Sequence, residues 1–300
     1  KDVTFSDVKK KNEIPKEIKL DCKLKVSTWN DELNEFQVFL DYNDQREFLT
    51  VDLQEIESLQ ASKAFNVIIN NPHFKNIRVL KLSQFPNQNA DKKLKSLLQT
   101  YNLTNLKILQ VENTTQFTDK ICESMIESDH IKSLKELSLK NVGTMTSEGL
   151  QKLFNCKALT NLKSLRVKNP IGIRDKYIAK HLSNSPYLVN LHKITLSQCH
   201  LMPATIKYLF NSDDILKDVS ELNLSRNKIS SKGCQYIMEA MGTFSSLKRL
   251  NLKNCGIDSQ GVFYLANATS LQSLRSINLS FNNIGNIGCE YLFTSKVLTQ

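Results

Sequence analysis

The chain has 300 residues, 40% of them apolar, and 40 Lys and Arg against 30 Asp and Glu give a formal net charge of +10. That apolar share suffices for a core, and no apolar run reaches the roughly 18 residues of a membrane-spanning helix. No GxxxxGK[ST] phosphate loop, HExxH zinc motif, GxSxG nucleophile elbow or glycine-rich dinucleotide fingerprint occurs, which argues against the commonest enzyme chemistries.

The opening segment, KDVTFSDVKKKNEIPKEIK, has no apolar stretch of signal-peptide type and does not begin with Met. It reads as a basic arm, with Lys9, Lys10, Lys11, Lys16, Lys19, Lys23 and Lys25 crowded together. Such a run is a solvated face by default and a lure for an acidic partner in the sharper reading. Trp29 and the stretch Leu33 to Leu40 read as a cap or a degenerate first repeat, so residues 1–45 form one unit.

A period runs along the chain, beginning inside that unit. Apolar residues two apart recur as Leu24/Val26, Val51/Leu53, Leu80/Leu82, Leu109/Val111, Leu137/Leu139, Leu165/Val167, Ile194/Leu196, Leu222/Leu224, Leu250/Leu252 and Ile277/Leu279. The steps between pairs are 27 to 29 residues. Each pair is the period-2 signature of a short strand with one buried face. A fixed step of this size means stacked repeats sharing one core.

Residues 247–273 show one unit in full. Leu247, Leu250 and Leu252 head it, Cys255 and Ile257 follow, Asp258 to Gly261 make a polar turn, and Val262, Leu265 and Ala266 fall at helical spacing. Gly149, Gly233, Gly261 and Gly288 recur where a helix is about to begin, and Ser147, Ser231 and Ser259 suit N-caps. Tyr236, Tyr264 and Tyr291 repeat behind them and read as helix packing.

The pattern LxxLxLxxN/CxL, with Cys199, Asn227, Cys255 and Asn282 at the N/C position, resembles the leucine-rich repeat. The 27–29-residue unit and the alternating Asn and Cys resemble its ribonuclease-inhibitor type. The resemblance is strong over residues 134–300, which read as regular repeats. It is weaker over 74–133 and rests mostly on spacing over 20–73, and residues 46–133 read as degenerate repeats. Val142, Pro170, Thr114 and Phe85 hold the N/C position in the earlier units and break the ladder there. The last residues, LFTSKVLTQ, show no cap, so the natural protein is expected to continue past Gln300.

The resemblance implies an α/β solenoid of about ten repeats. Parallel strands would line the concave face and helices the convex one, with Cys199, Asn227, Cys255 and Asn282 as a structural ladder. It also implies a non-catalytic scaffold that binds another protein through the strand face. The residues flanking the apolar pairs would then meet the partner. Two basic groups stand out there: Lys140, Arg166, Lys168 and Lys193 on three adjacent repeats, and Arg226, Arg249 and Lys253 on two. They point to an acidic partner surface. On that face Phe281 is the one large aromatic candidate for an anchor.

Other readings stand beside this one. Ran GTPase-activating proteins share the repeat type but carry an acidic tail, which this basic chain does not show. Ile14 to Ile18 resembles the start of an F-box, as in a substrate-recruiting subunit of a ubiquitin ligase, with little chain before the repeats begin. Effectors delivered into a host cytosol by intracellular bacteria also use such repeats. Nucleic-acid binding is disfavoured because few aromatics accompany the basic residues. Seven cysteines without a CxxC read as free, buried thiols in a reducing, intracellular and cytoplasmic setting. His192, Cys199 and His200 lie close in sequence but lack carboxylate support, and neither a metal nor a cofactor is expected.

Overall fold

The computed structural model describes residues 22–25, 49–53, 65–66, 68–70, 74–75, 77–83, 90–114, 117–143, 145–171, 177–211, 215–240 and 244–298. The basic arm up to Lys19, Trp29, the 33–40 stretch and Phe85 lie outside the described residues, while Lys23 and Lys25 fall in the first strand.

Among the described residues, ten strands form one parallel sheet in strict chain order. They are β1 (Cys22–Lys25), β2 (Leu49–Leu53), β3 (Ile77–Leu82), β4 (Ile108–Thr114), β5 (Glu136–Val142), β6 (Ser164–Lys168), β7 (Lys193–Ser197), β8 (Glu221–Asn223), β9 (Arg249–Asn251) and β10 (Ser276–Asn278). Eight described helices alternate with the later strands: α1 (Ala90–Leu98), α2 (Asp119–Ile126), α3 (Ser147–Phe154), α4 (Tyr177–Ser183), α5 (Pro203–Phe210), α6 (Ser230–Met238), α7 (Ser259–Ala266) and α8 (Gly285–Thr294). Parallel neighbours need a crossover, and one helix per unit supplies it. Strands pack about 4.8 Å apart while helices need about 10 Å, so the strand side is the shorter and becomes the hollow of a solenoid.

The apolar pairs hold register from strand to strand. Leu109, Leu137, Leu165, Ile194, Leu222, Leu250 and Ile277 are successive partners. All but Ile277 are buried in one continuous apolar core. From β8 onward the strands contract to three residues, and Leu224 and Leu252 fall just beyond them. Their amides still donate to Asn251 O and Asn278 O at 2.9 and 2.8 Å, so the ladder continues.

Helix starts differ from the sequence expectation. Ser147, Ser231 and Ser259 lie inside the first turn, and Thr146 and Asp258 cap α3 and α7 through backbone donors at Gly149 and Gly261. The reason lies in the neighbouring repeat. Thr146 is itself held by the Asp119 carboxylate at 2.7 Å through its amide and 2.6 Å through its hydroxyl. Ser231 donates to Asp258 at 2.5 Å instead of capping its own helix. The recurrent glycines also lie within helices rather than before them. A Cβ on Gly149 would fall 2.0 Å from Asp119 Oδ1, and one on Gly261 would fall 2.9 Å from Ser231 Oγ. Close packing of one helix on the last, not backbone freedom, requires glycine there.

The helix ends are tied by a ladder that no apolar periodicity announces. Ser128, Ser185, Ser270 and Ser295 donate to Leu98 O, Phe154 O, Ile237 O and Ala266 O of the preceding repeat at 2.5, 2.6, 3.0 and 2.7 Å. The Cys156 thiol does the same for Met125 O at 3.4 Å. These are last-turn carbonyls that a buried helix end leaves without a partner. Ser185 also accepts from Tyr187 N and Leu188 N. Ser185→Ala is therefore expected to destabilise by about 1–3 kcal/mol, read as a lower denaturation midpoint. A midpoint equal to wild type would mean that this carbonyl finds another donor.

Candidate binding face

The outward-facing residue between each apolar pair continues as one line across the hollow, in register: Lys81, Gln110, Ser138, Arg166, Thr195, Asn223, Asn251 and Asn278. The flanking rows carry most of the charge. Glu112 pairs with Lys140 at 2.6 Å across β4 and β5. Glu221 takes both Lys193, at 2.8 Å, and Arg249. Hydrogen bonds from Lys193 and then Arg249 hold the Glu221 carboxyl below the usual carboxylate range.

The two basic groups are thus divided. Lys140, Lys193 and Arg249 each have a glutamate partner on the strand face, Glu221 being shared by the last two. Arg166 is exposed and Lys168 half-buried, and neither has an acidic partner among the described residues. The partner acids were visible in the 28-residue step: Glu112 lies one repeat before Lys140, and Glu221 lies one repeat from both Lys193 and Arg249.

Arg226 and Phe281 belong to a different feature. Asn113, Asn141, Asn169, Gln198, Arg226, Asn254 and Phe281 occupy equivalent positions, and each has φ between +49° and +59°. The chain leaves the strand there in the left-handed region, which Asn tolerates better than bulky residues do. The first three asparagines form an amide chain: Asn169 donates to Asn141 at 2.9 Å, and Asn141 to Asn113 at 2.6 Å. Asparagines do recur in the early repeats, one residue before the expected ladder position. Phe281 takes the strained conformation while 77% exposed. The Lys253 ammonium lies 4.4 Å from its ring centroid, an attraction between cation and π face.

Beneath this rim the Asn and Cys side chains stitch the later repeats. Asn227 Oδ1 accepts from Cys199 N at 2.9 Å and Leu201 N at 3.1 Å, while Nδ2 donates to Leu196 O and Leu224 O, both at 2.7 Å. Asn282 repeats the pattern with Cys255 N, Ile257 N, Leu252 O and Leu279 O. Between them Cys199 and Cys255 donate from sulfur to Val167 O and Leu224 O, each at 3.3 Å. Burial pushes the Cys255 thiol up to about 11 and the Cys199 thiol further still, so both remain protonated donors at neutral pH.

On the helix side, Tyr236, Tyr264 and Tyr291 are partly buried against the core. His192 and His200 are exposed while Cys199 is buried, so the three do not converge. No group of His, Cys, Asp and Glu among the described residues has metal-binding geometry. No described helix is long and apolar enough to cross a membrane.

A family model described as a leucine-rich repeat matches residues 218–238, 245–266 and 270–293. Residues 218–293 thus carry leucine-rich repeats. The matched segments begin shortly before β8, β9 and β10 and end in or beside α6, α7 and α8, so each spans one strand and helix of the leucine-rich array. No curated protein matches the chain significantly. Among solved structures it is similar to an internalin (inlF) from Listeria monocytogenes, at 17% identity and a TM-score of 0.43, covering 83% of this chain and 70% of that one. It is also similar to a protein from Bacteroides fragilis, at 10% identity and TM-score 0.49, covering 80% and 76%. A third is TLR13 in a complex with ssRNA13, at 17% and 0.48, covering 84% of this chain and 38% of that one. These likenesses carry no residue role across.

Proposed function

We propose that this chain is a non-catalytic protein–protein interaction scaffold of the ribonuclease-inhibitor-like type, which captures an acidic partner surface on its concave strand face. The subtype is supported by the Asn227 and Asn282 bonds alternating with the Cys199 and Cys255 thiols. The observation that carries the binding reading is the pair Arg166 and Lys168. They stand together on β6 without an acidic partner among the described residues, on a sheet that pairs Lys140, Lys193 and Arg249 with its own glutamates. A guanidinium without a carboxylate of its own is free to take one bidentately, and charge of this sign steers an acidic surface inward. Phe281, propped on Lys253, gives the same face an exposed aromatic anchor. Thiols that serve as hydrogen-bond donors in the ladder favour a reducing, cytoplasmic setting, including a host cytosol.

The test is charge reversal at Arg166 and Lys168, leaving Lys193 alone because Lys193→Glu would set a second carboxylate against Glu221. Arg166→Glu with Lys168→Glu is expected to abolish capture of the proteins that wild type retains from a lysate. Stability should stay within about 0.5 kcal/mol, as for other surface changes. Capture of the same set by both baits would overturn the assignment.

A further inference from the structure

The strand face carries a second feature besides charge. Asn223, Asn251 and Asn278 are successive partners on β8, β9 and β10. Each uses its side-chain oxygen in the same way, accepting from the amide two residues on: Ser225 N, Lys253 N and Ser280 N, all at 3.0 Å. A backbone N–H only donates, so the facing atom must be Oδ1 and the amide orientation is settled. The three Nδ2 groups make no hydrogen bond within the described residues. Arg166 and Thr195 precede them in the same line. The result is a row of donors: a guanidinium, a hydroxyl and three NH2 groups.

We propose that this row receives an α-helix of the partner lying across the strands, with Asp or Glu at every third or fourth residue along one face. This identity for the partner rests on the capture of an acidic surface by the concave face. Carboxylates are acceptor-only and match a donor row. The repeat distance selects the helix. Adjacent strands are about 4.8 Å apart, so the five positions span about 19 Å. A helix rises 1.5 Å per residue, so a stripe at alternating i+3 and i+4 advances about 5.3 Å per contact. That departs from the row by about 0.5 Å per step, which side-chain rotamers absorb. An extended strand places same-face side chains about 6.7 Å apart and is out of step by about 4 Å after two contacts. About 13 helical residues cover the row.

Three fluorescent 16-residue peptides of equal length and charge test this by anisotropy at low salt. One is a helix with a single glutamate stripe, one a helix with the glutamates spread around all faces, and one an extended peptide with glutamate at alternate positions. The striped helix is expected to bind at least tenfold tighter than the others. The triple variant Asn223→Ser, Asn251→Ser, Asn278→Ser should erase that preference. Serine retains an acceptor for the same backbone amides, and a thermal melt verifies the fold. Asn251→Ser alone serves if the triple variant does not fold. Equal binding of all three peptides, lost on reversal of Arg166 and Lys168, would overturn the helix and leave acidic capture standing. A preference that survives the serine substitutions, or an oligo-dT single strand binding as tightly as the striped helix, would also overturn it. No peptide binding removes the helix as well, and unchanged lysate capture by the reversal variant removes both readings.

Discussion

Leu224→Asp is expected to melt the array around β8. Leu224 is 0% exposed and belongs to the single core that runs through the described repeats. Its backbone is equally engaged: the carbonyl accepts from Asn227 Nδ2 and Cys255 Sγ, and the amide donates to Asn251 O. Aspartate removes the leucine's packing, worth about 2–5 kcal/mol at a buried site, and adds a carboxyl with no partner in the core. The sum exceeds about 5 kcal/mol, more than one repeat interface is expected to withstand. Contacts in a solenoid are between neighbours, so the damage should be local. Hydrogen exchange is the measurement. Amides of β7 to β9 are expected to lose protection while those of β4 and β5 keep theirs. Normal protection around residue 224 would mean that the repeat register is wrong.

Asn227→Ala is the second large effect, expected to cost about 3–5 kcal/mol. The side chain is 4% exposed and satisfies Cys199 N, Leu201 N, Leu196 O and Leu224 O at once. Alanine leaves three buried backbone groups short of a partner and Leu224 O with the Cys255 thiol alone, each loss worth about 1–3 kcal/mol less what relaxation and water recover. Asn282 makes the same four kinds of bond in a half-buried setting. Water can replace its side chain, so Asn282→Ala should cost less than half as much. Denaturation midpoints of the two variants make the comparison, and equal losses would show that burial does not set the ladder's strength.

The strands, their order and their buried faces were legible because each depends on nearby residues repeated at a fixed step. The pair Leu137 and Leu139 has only one way to face a core shared with Leu165 and Val167. The helix starts were not legible in the same way. Ser147 and Ser259 are good caps by local preference, yet Thr146 and Asp258 serve because each also bonds the helix stacked beside it. The serine ladder was missed for a related cause. Ser128 and Ser185 stand in apolar-poor return loops, and their partners lie 30 and 31 residues back.

On the candidate face the division is sharper. Residue type and period decided that Lys140, Arg166, Lys168, Lys193, Arg249 and Lys253 would crowd the strand side of the hollow. Cross-strand distance decided which of them are spent. Glu112 pairs with Lys140, Glu221 is shared by Lys193 and Arg249, and the Phe281 ring occupies Lys253. Arg166 and Lys168 remain because β5 and β7 set Ser138, Lys140, Thr195 and Ser197 beside them, with no acid in that register. A repeat's period is a property of the chain. The partner of a charge is a property of two strands about 4.8 Å apart, and it exists only once they are stacked.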